Sequence, residues 1–376
     1  MIESIGVIGG GQLGRMLTLV AKRMGYRVTA LDPQEHSPCG QVADEQIVAA
    51  YDDIGAIEEL GRRSEIVTYE FENIAIDSVR HLERCGYRVT PASAVLEITQ
   101  DRLREKRFAH DCGLQTTAFA EVGAGGDLDA AIAAVGFPAV LKTARGGYDG
   151  KGQWRVQDAA QLREAVASAG GAQLILERVV DFACELSVVA TRSADDTVVT
   201  FPVVENVHDR GILLKSIAPA RVSGKIAAEA QSIAQTVGRH LRIVGTYCVE
   251  LFATRDGSLL VNEIAPRPHN SGHFSIDATP CSQYEQHVRA ICSLPLAPVR
   301  MLANAVMTNI LGTGTGNRLG GVVHLLADPS IVLHVYGKRH AVERRKMGHF
   351  TMLVDGAIDD GALQRADEAS KHLFWY

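Results

Sequence analysis

The chain has 376 residues, more than a single hydrophobic core usually holds, so two or three packed domains are expected. Hydrophobic residues make up 46% and charged residues 22%, as in an ordinary globular enzyme, and the formal net charge of -6 tells against a large basic surface for nucleic acid. Seven scattered cysteines without a C-x-x-C pair argue against a disulfide framework and against a zinc site.

The first residues carry Glu3 where a signal peptide needs positive charge, and no apolar run is long enough to span a bilayer. We therefore expect a cytoplasmic protein that is neither exported nor embedded in a membrane. Without an overall basic field, small anionic ligands must be bound by local clusters of cations.

The N-terminal part alternates apolar runs with helical patterns. Ile5–Ile8 is apolar, 9–14 is glycine-rich, and apolar residues then recur at helical spacing, which predicts a strand, a loop and a helix. Further apolar runs predict strands at 28–31, 47–50 and 66–69. This alternation predicts a parallel, doubly wound sheet in a domain of residues 1–95.

The first loop has the pattern G-x-G-x-x-G at Gly9, Gly11 and Gly14, and Asp32 ends the next strand. On pattern alone this predicts an NAD site. Such a loop binds other phosphates by the same physics, because backbone N–H groups at a helix N-terminus attract anions in general. A tight turn without any ligand is the third alternative.

A central domain is predicted over residues 96–298. It begins with a helix that carries cations from Arg102 onward, and it contains a small mobile subdomain at about 115–175. From Leu174 strands dominate, and two prolines mark the boundary to a short, strand-rich C-terminal domain at 299–376.

A second glycine-rich loop, Gly146–Gly152, has four glycines whose backbone can fold over phosphates, and Lys151 adds a positive charge. It is not a Walker A loop, because no Ser or Thr follows the lysine. A solvated hairpin tip would account for the same glycines.

Two strand-like runs, Thr246–Phe252 and Leu259–Ile264, flank Asp256-Gly257, a strong signal for a two-residue hairpin turn. In that register Glu250 faces Glu263, and two like charges on opposed residues are unfavourable. A shared divalent cation would neutralise them, and hard oxygen ligands favour Mg2+. Two solvated glutamates on an exposed sheet face are the alternative, and a three-residue turn would shift the register.

Residues 265–273 follow this hairpin directly and are dense in hydrogen-bond donors, which makes them a candidate substrate anchor. Near the C-terminus, five cations form a basic cluster suited to a phosphate monoester: Lys338, Arg339, Arg344, Arg345 and Lys346. The absence of G-x-S-x-G, H-E-x-x-H and Cys/His pairs of known spacing leaves hydrolase and zinc-enzyme interpretations without support.

Together these segments resemble the ATP-grasp superfamily and, within it, the 5-(carboxyamino)imidazole ribonucleotide synthase family of purine biosynthesis. The resemblance covers nearly the whole chain through GGGQLGRM (9–16), YEFENI (69–74), GGYDGKGQ (146–153), NEIAPRPHNSGH (262–273) and RRKMGH (344–349). It implies a fold of the α/β and α+β classes in three parts: an N-terminal Rossmann-like (pre-ATP-grasp) domain, a central ATP-grasp domain and a small, strand-rich C-terminal domain.

The implied reaction joins bicarbonate to 5-aminoimidazole ribonucleotide at the expense of ATP, through carboxyphosphate, and gives ADP and phosphate. The implied cofactors are ATP and Mg2+, which Mn2+ can replace. The implied partners are these small molecules, with neither nucleic acid nor membrane, and a second copy of the chain in a homodimer.

Matching positions imply the site residues. The ATP set is Arg102, Lys142, Gly147, Tyr148, Asp149, Gly150, Lys151, Gly152, Gln153, Glu177, Arg178, Val179, Val180, Glu185, His208, Asn262 and Glu263. The metal set is Glu250 and Glu263. The ribonucleotide set is Gln12, Leu13, Glu72, Asn270, Lys338, Arg345 and Lys346. The catalytic candidates around bicarbonate and the acceptor amine are Tyr148, Asp149, Arg267, His269 and Lys338.

Whether Arg344 or Arg345 binds the substrate phosphate stays open, because the family commonly has glycine at the position of Arg344. The nearest alternative family is the formate-dependent phosphoribosylglycinamide formyltransferase, but Gln12 and the segment 269–273 resemble the carboxylating enzymes more closely. An NAD-dependent dehydrogenase would leave the hairpin glutamates and the second glycine loop unexplained. A non-catalytic nucleotide sensor would bind ATP without turnover, and the paired carboxylates tell against it.

Overall fold

The computed structural model describes residues 2–123, 127–146 and 152–376. Three of its sheets have two or four strands, and one has nine. None of the helices in the described part of the chain combines the length and the apolarity that crossing a membrane requires.

The N-terminal sheet is parallel, with the strand order β3-β2-β1-β4. Its strands are β1 (Ser4–Ile8), β2 (Arg27–Leu31), β3 (Glu45–Ile47) and β4 (Ile66–Tyr69), and its helices are α1 (Gln12–Arg23), α2 (Ile54–Arg63) and α3 (Ile76–Arg84). The strands are apolar on both faces because α1 covers one face, and α2 and α3 cover the other. The predicted doubly wound sheet is confirmed, although its third strand is 45–47 and not 47–50.

Helices α4 (Ser93–Thr99) and α5 (Arg102–Asp111) lead to a four-stranded antiparallel sheet with the order β5-β8-β6-β7. Its elements are β5 (Phe119–Val122), α6 (Leu128–Val135), β6 (Ala139–Thr143), β7 (Gln153–Val156), α7 (Ala159–Ser168) and β8 (Leu174–Arg178). Asp101 caps α5 by accepting hydrogen bonds from the N–H groups of Leu103 and Arg104, which fixes where Arg102 enters the helix.

The largest sheet is antiparallel, with the order β14-β13-β9-β11-β12-β15-β18-β17, and β10 pairs with β9. The strands that come from the middle of the chain are β9 (Phe182–Arg192), β10 (Val198–Thr200), β11 (Val204–Asp209), β12 (Ile212–Ala218), β13 (Gly245–Thr254) and β14 (Leu259–Ala265). Helix α8 (Gly224–His240) covers one face and buries Ala230 and Val237 against β9 and β13.

The C-terminal strands β15 (Asn304–Leu311), β17 (Ile331–Val335) and β18 (Lys346–Val354) continue this sheet, because β15 pairs with β12. The remaining elements are a 3-10 turn (Asn270–Gly272), α9 (Ser275–Ala278), α10 (Gln283–Ile291), β16 (Leu319–Gly320), α11 (Val322–Leu325), α12 (Asp360–Ser370) and β19 (Phe374–Trp375). Helix α10 packs into the core around α1 through Tyr284 and Val288, which holds the segment 265–273 beside the N-terminal sheet.

Candidate active site

Protein carboxylates occupy the donors of the first glycine loop. The N–H groups of Gly11 and Gly14 donate to Glu70 at 2.7 and 2.9 Å, and the N–H group of Gly10 donates to Asp32 at 2.7 Å. These are the donors that a pyrophosphate would need at the start of α1, so the arrangement tells against the NAD interpretation. Burial raises the pKa of Glu70, although the two hydrogen bonds oppose that shift.

The two predicted ribonucleotide contacts in this loop differ in what they offer a ligand. The side chain of Leu13 is 5% exposed and packs in the core around Val7, so only its backbone is available. Gln12 begins α1 and is half-buried.

Glu72 and Arg267 form an ion pair that joins the N-terminal sheet to the end of β14. Arg267 Nη2 donates to Glu72 Oε1 at 3.0 Å, and Arg267 Nε donates to the other carboxylate oxygen. Burial would raise the pKa of Glu72, but the charge and hydrogen bond of Arg267 lower it below its ordinary value. The structure therefore brings together one predicted substrate residue and one predicted catalytic residue.

The hairpin of β13 and β14 places Glu250 opposite Glu263, as predicted, but by a different route. The turn has three residues instead of the predicted two, since Thr254 N–H donates to the carbonyl of Ser258. The resulting register is Leu251–Val261, Phe252–Leu260 and Ala253–Leu259. A β-bulge at Asn262 then shifts the register back by one residue. The two departures cancel, so the predicted pair is right although the predicted turn is wrong.

The two opposed carboxylates have different surroundings. His269 Nε2 lies 3.1 Å from Glu250 Oε1. Burial would raise the pKa of Glu250, but His269, together with the charges of His208 and Lys346, lowers it to about 2. Desolvation by the surrounding protein and the negative charge of Glu250 raise the pKa of Glu263. Glu263 is nevertheless accessible to solvent. No hydrogen bond or salt bridge from the described residues ends on the Glu263 carboxylate, so this pair is suited to a bound cation.

His269 lies in the donor-rich segment 265–273, directly before the 3-10 turn. Its Nδ1 lies 2.8 Å from the hydroxyl of Ser271. Burial would lower the pKa of His269, but Cys248 and Glu250 raise it to about 10. The neighbouring Asn270 is half-buried and its side-chain oxygen lies 3.1 Å from His273 Nε2, so this predicted ribonucleotide contact is held by the protein before any ligand binds.

A buried lysine, Lys106, fixes the bulge that aligns the two glutamates. Its side chain is 2% exposed, and its Nζ donates to the carbonyls of Val261 and Asn262 at 3.1 and 2.8 Å. It also lies 3.9 Å from Glu177, whose main partner is Lys142 at 2.6 Å. Burial would raise the pKa of Glu177, but these two lysines lower it.

Several other predicted nucleotide contacts line neighbouring strands. His208 Nδ1 on β11 lies 2.8 Å from Glu185 Oε2 on β9. Arg102 Nη1 donates to the carbonyl of Thr143 at the end of β6. The predicted adenine hinge continues from the end of β8 as an exposed Arg178 followed by the half-buried Val179 and Val180.

The basic cluster near the C-terminus separates into engaged and exposed cations. Lys338 Nζ donates to the carbonyl of Lys346 at 2.6 Å, and Lys338 is 8% exposed. The guanidinium of Arg344 donates to a carboxylate oxygen and to the carbonyl of Asp209 at 2.9 and 2.6 Å. Arg345 is exposed.

Part of the second glycine loop lies outside the described residues: Gly147, Tyr148, Asp149, Gly150 and Lys151. The two predicted ATP contacts that follow are described. The carbonyl of Gly152 accepts a hydrogen bond from Thr143 N–H, and Gln153 is an exposed residue that begins β7. The described residues on either side of 147–151 therefore follow β6 and begin β7.

Three family models match the chain in sequence: the ribonucleotide synthetase preATP-grasp domain at residues 2–100, the ATP-grasp domain at 107–284 and the phosphoribosylaminoimidazole carboxylase C-terminal domain at 305–359. The N5-carboxyaminoimidazole ribonucleotide synthase of Bacillus subtilis (strain 168) is 44% identical over 353 residues, which cover 93% of this chain and 91% of the relative. The chain belongs to the N5-carboxyaminoimidazole ribonucleotide synthase family.

Solved members of the N5-carboxyaminoimidazole ribonucleotide synthase family share the fold. A complex with ADP superimposes with a TM-score of 0.90 at 44% identity, covering 98% of this chain and 96% of the other. The Aspergillus clavatus synthase, solved with ADP and 5-aminoimidazole ribonucleotide, has a TM-score of 0.88 at 28% identity with the same coverage. The predicted fold classes and the three-part architecture are confirmed.

In this member of the synthase family, sequence reasoning missed three buried charged residues: Glu70, Glu105 and Lys106. Glu105 is 2% exposed and accepts a hydrogen bond from Ile264 N–H at 2.9 Å. Burial and the charge of Glu263 raise its pKa well above the ordinary value. A signal did exist for the lysine, because Lys106 stands three residues from both Leu103 and Ala109 on the buried stripe of α5.

Proposed function

We propose that this chain catalyses the ATP-dependent carboxylation of 5-aminoimidazole ribonucleotide with bicarbonate. The product is N5-carboxyaminoimidazole ribonucleotide, and ADP and phosphate are released. The observation that carries the proposal is the opposed pair of Glu250 and Glu263, which lies next to Arg267 and His269 of the segment 265–273.

The glutamate pair fits Mg2+, with Mn2+ as a possible replacement, because Glu263 has no protein partner among the described residues and faces a second carboxylate. Such an ion, when bound, would neutralise phosphate charge on ATP. Asn262 lies beside the pair at the bulge. Lys142 and Arg102 are assigned to the phosphates. The positive charges of both lower the pKa of Glu263, so both side chains lie close to the proposed metal site.

The nucleoside end of ATP is assigned to the strands beyond Lys142. Glu177 to Val180 would form the adenine hinge, and Glu185 with His208 would contact the ribose side. The ion pair of Lys142 with Glu177 keeps the phosphate side and the hinge at a fixed separation. The loop residues from Gly147 to Gln153 are assigned to ATP by their sequence pattern.

In the proposed reaction a bicarbonate oxygen attacks the γ-phosphorus of ATP, the bond to ADP breaks, and carboxyphosphate forms. The amine nitrogen then attacks the carboxyl carbon, phosphate leaves, and the nitrogen loses a proton. Arg267 and His269 provide positive charge for the anionic reactants, because Glu72 and Glu250 favour their charged forms. Lys338, Tyr148 and Asp149 complete the proposed catalytic set.

The ribonucleotide is assigned to the junction between the N-terminal domain and the C-terminal strands. Gln41 Nε2 donates to the carbonyl of Gly337, and Arg339 donates to the carbonyl of Glu35, so these two parts are in direct contact. The charge of Lys338 acts on Glu70, which accepts hydrogen bonds from the first glycine loop where Gln12 and Leu13 lie. Glu72 and Asn270 complete the proposed ribonucleotide site, and Arg345 with Lys346 would bind its phosphate.

The test is ADP release by the purified protein with Mg-ATP, 5-aminoimidazole ribonucleotide and bicarbonate, followed by omission of each substrate in turn. We expect full turnover only with both substrates present. Stimulation by formate with glycinamide ribonucleotide would instead assign the chain to the formyltransferase chemistry. Failure to release ADP under any combination would overturn the ligase proposal.

We also propose a homodimeric enzyme of the cytoplasm. The seven cysteines are all free, which suits a reducing compartment. Light scattering after size-exclusion chromatography tests the assembly, since a monomer mass of 40.5 kDa would double in a dimer.

A further inference from the structure

Three side chains of different chemistry meet on the outer helices of the N-terminal domain. Glu58 lies on α2 and His81 on α3, and Cys85 caps the C-terminus of α3 four residues after His81, so His81 and Cys85 lie on the same side of that helix. The two helices share a core through Leu60 and Leu82. None of the residues assigned to the ligase reaction lies on α2 or α3.

The distances between the donor atoms are close to those of a metal site. His81 Nε2 lies 2.7 Å from Glu58 Oε1 and 3.5 Å from Cys85 Sγ, and all three donor atoms lie within 4.8 Å of one another. Ligand atoms around a tetrahedral zinc ion are roughly 3.3–3.8 Å apart, given Zn–N, Zn–O and Zn–S bonds of about 2.0–2.3 Å. The Glu58 side chain is 41% exposed, so it has room to move away from His81 toward that spacing.

The charged side chains around Glu58, His81 and Cys85 do not oppose the binding of a cation there. The arginines of the two helices have other partners: Arg62 and Arg63 pair with Glu59, and Arg80 pairs with Asp77 and Glu97. Arg84 turns back along α3 and donates to the carbonyl of Arg80. Cys85 caps the C-terminus of α3, the end at which the helix dipole favours positive charge.

We propose that Glu58, His81 and Cys85 form a binding site for a divalent transition metal of the zinc class, which links α2 to α3. A thiolate and an imidazole select such an ion over Mg2+, and three protein ligands leave the fourth position to water. On binding, the Cys85 S–H bond breaks, its proton goes to solvent, and a sulfur–metal bond forms. A search for C-x-x-C pairs does not find this site, because its ligands come from two helices.

The first test titrates metal-free, full-length protein with Co2+ and follows the thiolate-to-cobalt charge-transfer absorption. We expect saturation at one ion per chain. Cys85→Ser should abolish the absorption, whereas Cys112→Ser should leave it unchanged. Cys112 is a suitable control because it also ends a helix, α5, but has no histidine four residues before it.

The second test measures Zn2+ affinity by competition with a chromophoric chelator and the melting temperature with and without Zn2+. His81→Gln should weaken zinc binding about tenfold or more, and zinc should raise the melting temperature of the parent but not of Cys85→Ser. Equal affinity in the parent and both variants, or binding only at millimolar zinc, would overturn the proposal. Both readouts are independent of ADP release, so failure of the ligase proposal would not affect them.

Discussion

Two pairs of acidic residues in this chain have opposite relations to the protein around them. Glu70 and Glu72 follow β4, and each has a protein partner: the backbone N–H groups of the first glycine loop for Glu70, and Arg267 for Glu72. Glu250 and Glu263 face each other on one hairpin, and among the described residues only Glu250 has an oppositely charged partner.

The difference separates carboxylates whose charge is matched inside the protein from a carboxylate whose charge is left for a cation, and Glu72 belongs to the first kind although it is also assigned to the ribonucleotide site. A buried charge with matched partners stabilises the structure it joins, and removing one partner leaves the other uncompensated. A carboxylate that faces another carboxylate does not stabilise the fold, because the two charges repel each other. A bound cation explains why both are present. Removing single charges from each pair tests this distinction directly.

The largest expected effect is on stability and comes from Glu72→Gln. It leaves the Arg267 guanidinium buried beside a neutral amide, and we expect the free energy of unfolding to fall by about 3–5 kcal/mol. Chemical denaturation monitored by circular dichroism measures this change. Glu59→Gln is the control, because its partner Arg63 is exposed, and it should change stability little.

The loss of stability in Glu72→Gln is expected to depend on pH. Because the folded pKa of Glu72 lies below its ordinary value of 4.5, the ion pair contributes its full stability above pH 4.5 and loses it as the pH falls through the folded pKa. The stability difference between the parent and Glu72→Gln should therefore be constant at neutral pH and shrink in acid. A difference that instead grew on acidification would contradict this assignment.

The second prediction concerns activity and uses Glu263→Gln. We expect kcat/KM to fall on the order of 10²–10³-fold, because one anionic ligand of the proposed metal is lost. Stability should not fall, since the change removes repulsion with Glu250. Steady-state ADP release and denaturation of the same preparations measure both quantities. Asp256→Asn, in the turn of the same hairpin, should retain activity, and a destabilised Glu263→Gln with normal kcat/KM would reverse the distinction.

The sequence predicted the glutamate pair through a turn that does not exist. Asp256-Gly257 indicates a two-residue turn from local preference, whereas the bulge at Asn262 depends on Lys106, which lies 156 residues away along the chain and donates to two carbonyls there. Local patterns predicted the strands and most of their bounds. They could not predict a register that a buried lysine from another element sets.

Local patterns also could not predict that the large sheet continues into the C-terminal strands. The pairing of β12 with β15 joins strands on either side of the predicted boundary at residue 298, and only the folded chain places them side by side. Glu70 was missed for a related reason. Its partners Gly11 and Gly14 are more than 50 residues away, and the glycine pattern alone favoured an external phosphate over an internal carboxylate.

The third prediction is Glu70→Gln. One oxygen acceptor becomes an NH2 group that faces a backbone N–H of the loop, so we expect a loss of about 1–3 kcal/mol in the free energy of unfolding. The activity per folded molecule should fall much less than in Glu263→Gln, because Glu70 supports the first glycine loop and is not among the residues assigned to ATP. Glu45→Gln, an exposed carboxylate on the same sheet, is the control. A large loss of kcat without a loss of stability would move Glu70 into the catalytic set.

The fourth prediction has the smallest expected effect and applies the same contrast, between charges with and without a protein partner, to two arginines. Arg344 has a protein partner, Asp209, whereas Arg345 is exposed with no side-chain partner among the described residues. Arg345→Ala should raise KM for the ribonucleotide about tenfold through a lost charged contact to its phosphate. Arg344→Ala should leave that KM nearly unchanged and cost about 0.2–1 kcal/mol of stability, as a partly exposed ion pair does.

Initial rates at varied ribonucleotide concentration, with ATP and bicarbonate saturating, measure the two KM values. If Arg344→Ala gave the larger increase in KM, a partnered charge would be binding the ligand, and the rule drawn from the glutamates would not extend to this cluster. Asp209→Asn separates the two explanations. It frees the guanidinium of Arg344 without removing it, so it should leave KM unchanged if Arg344 is structural, and should lower KM if the salt bridge competes with the substrate phosphate.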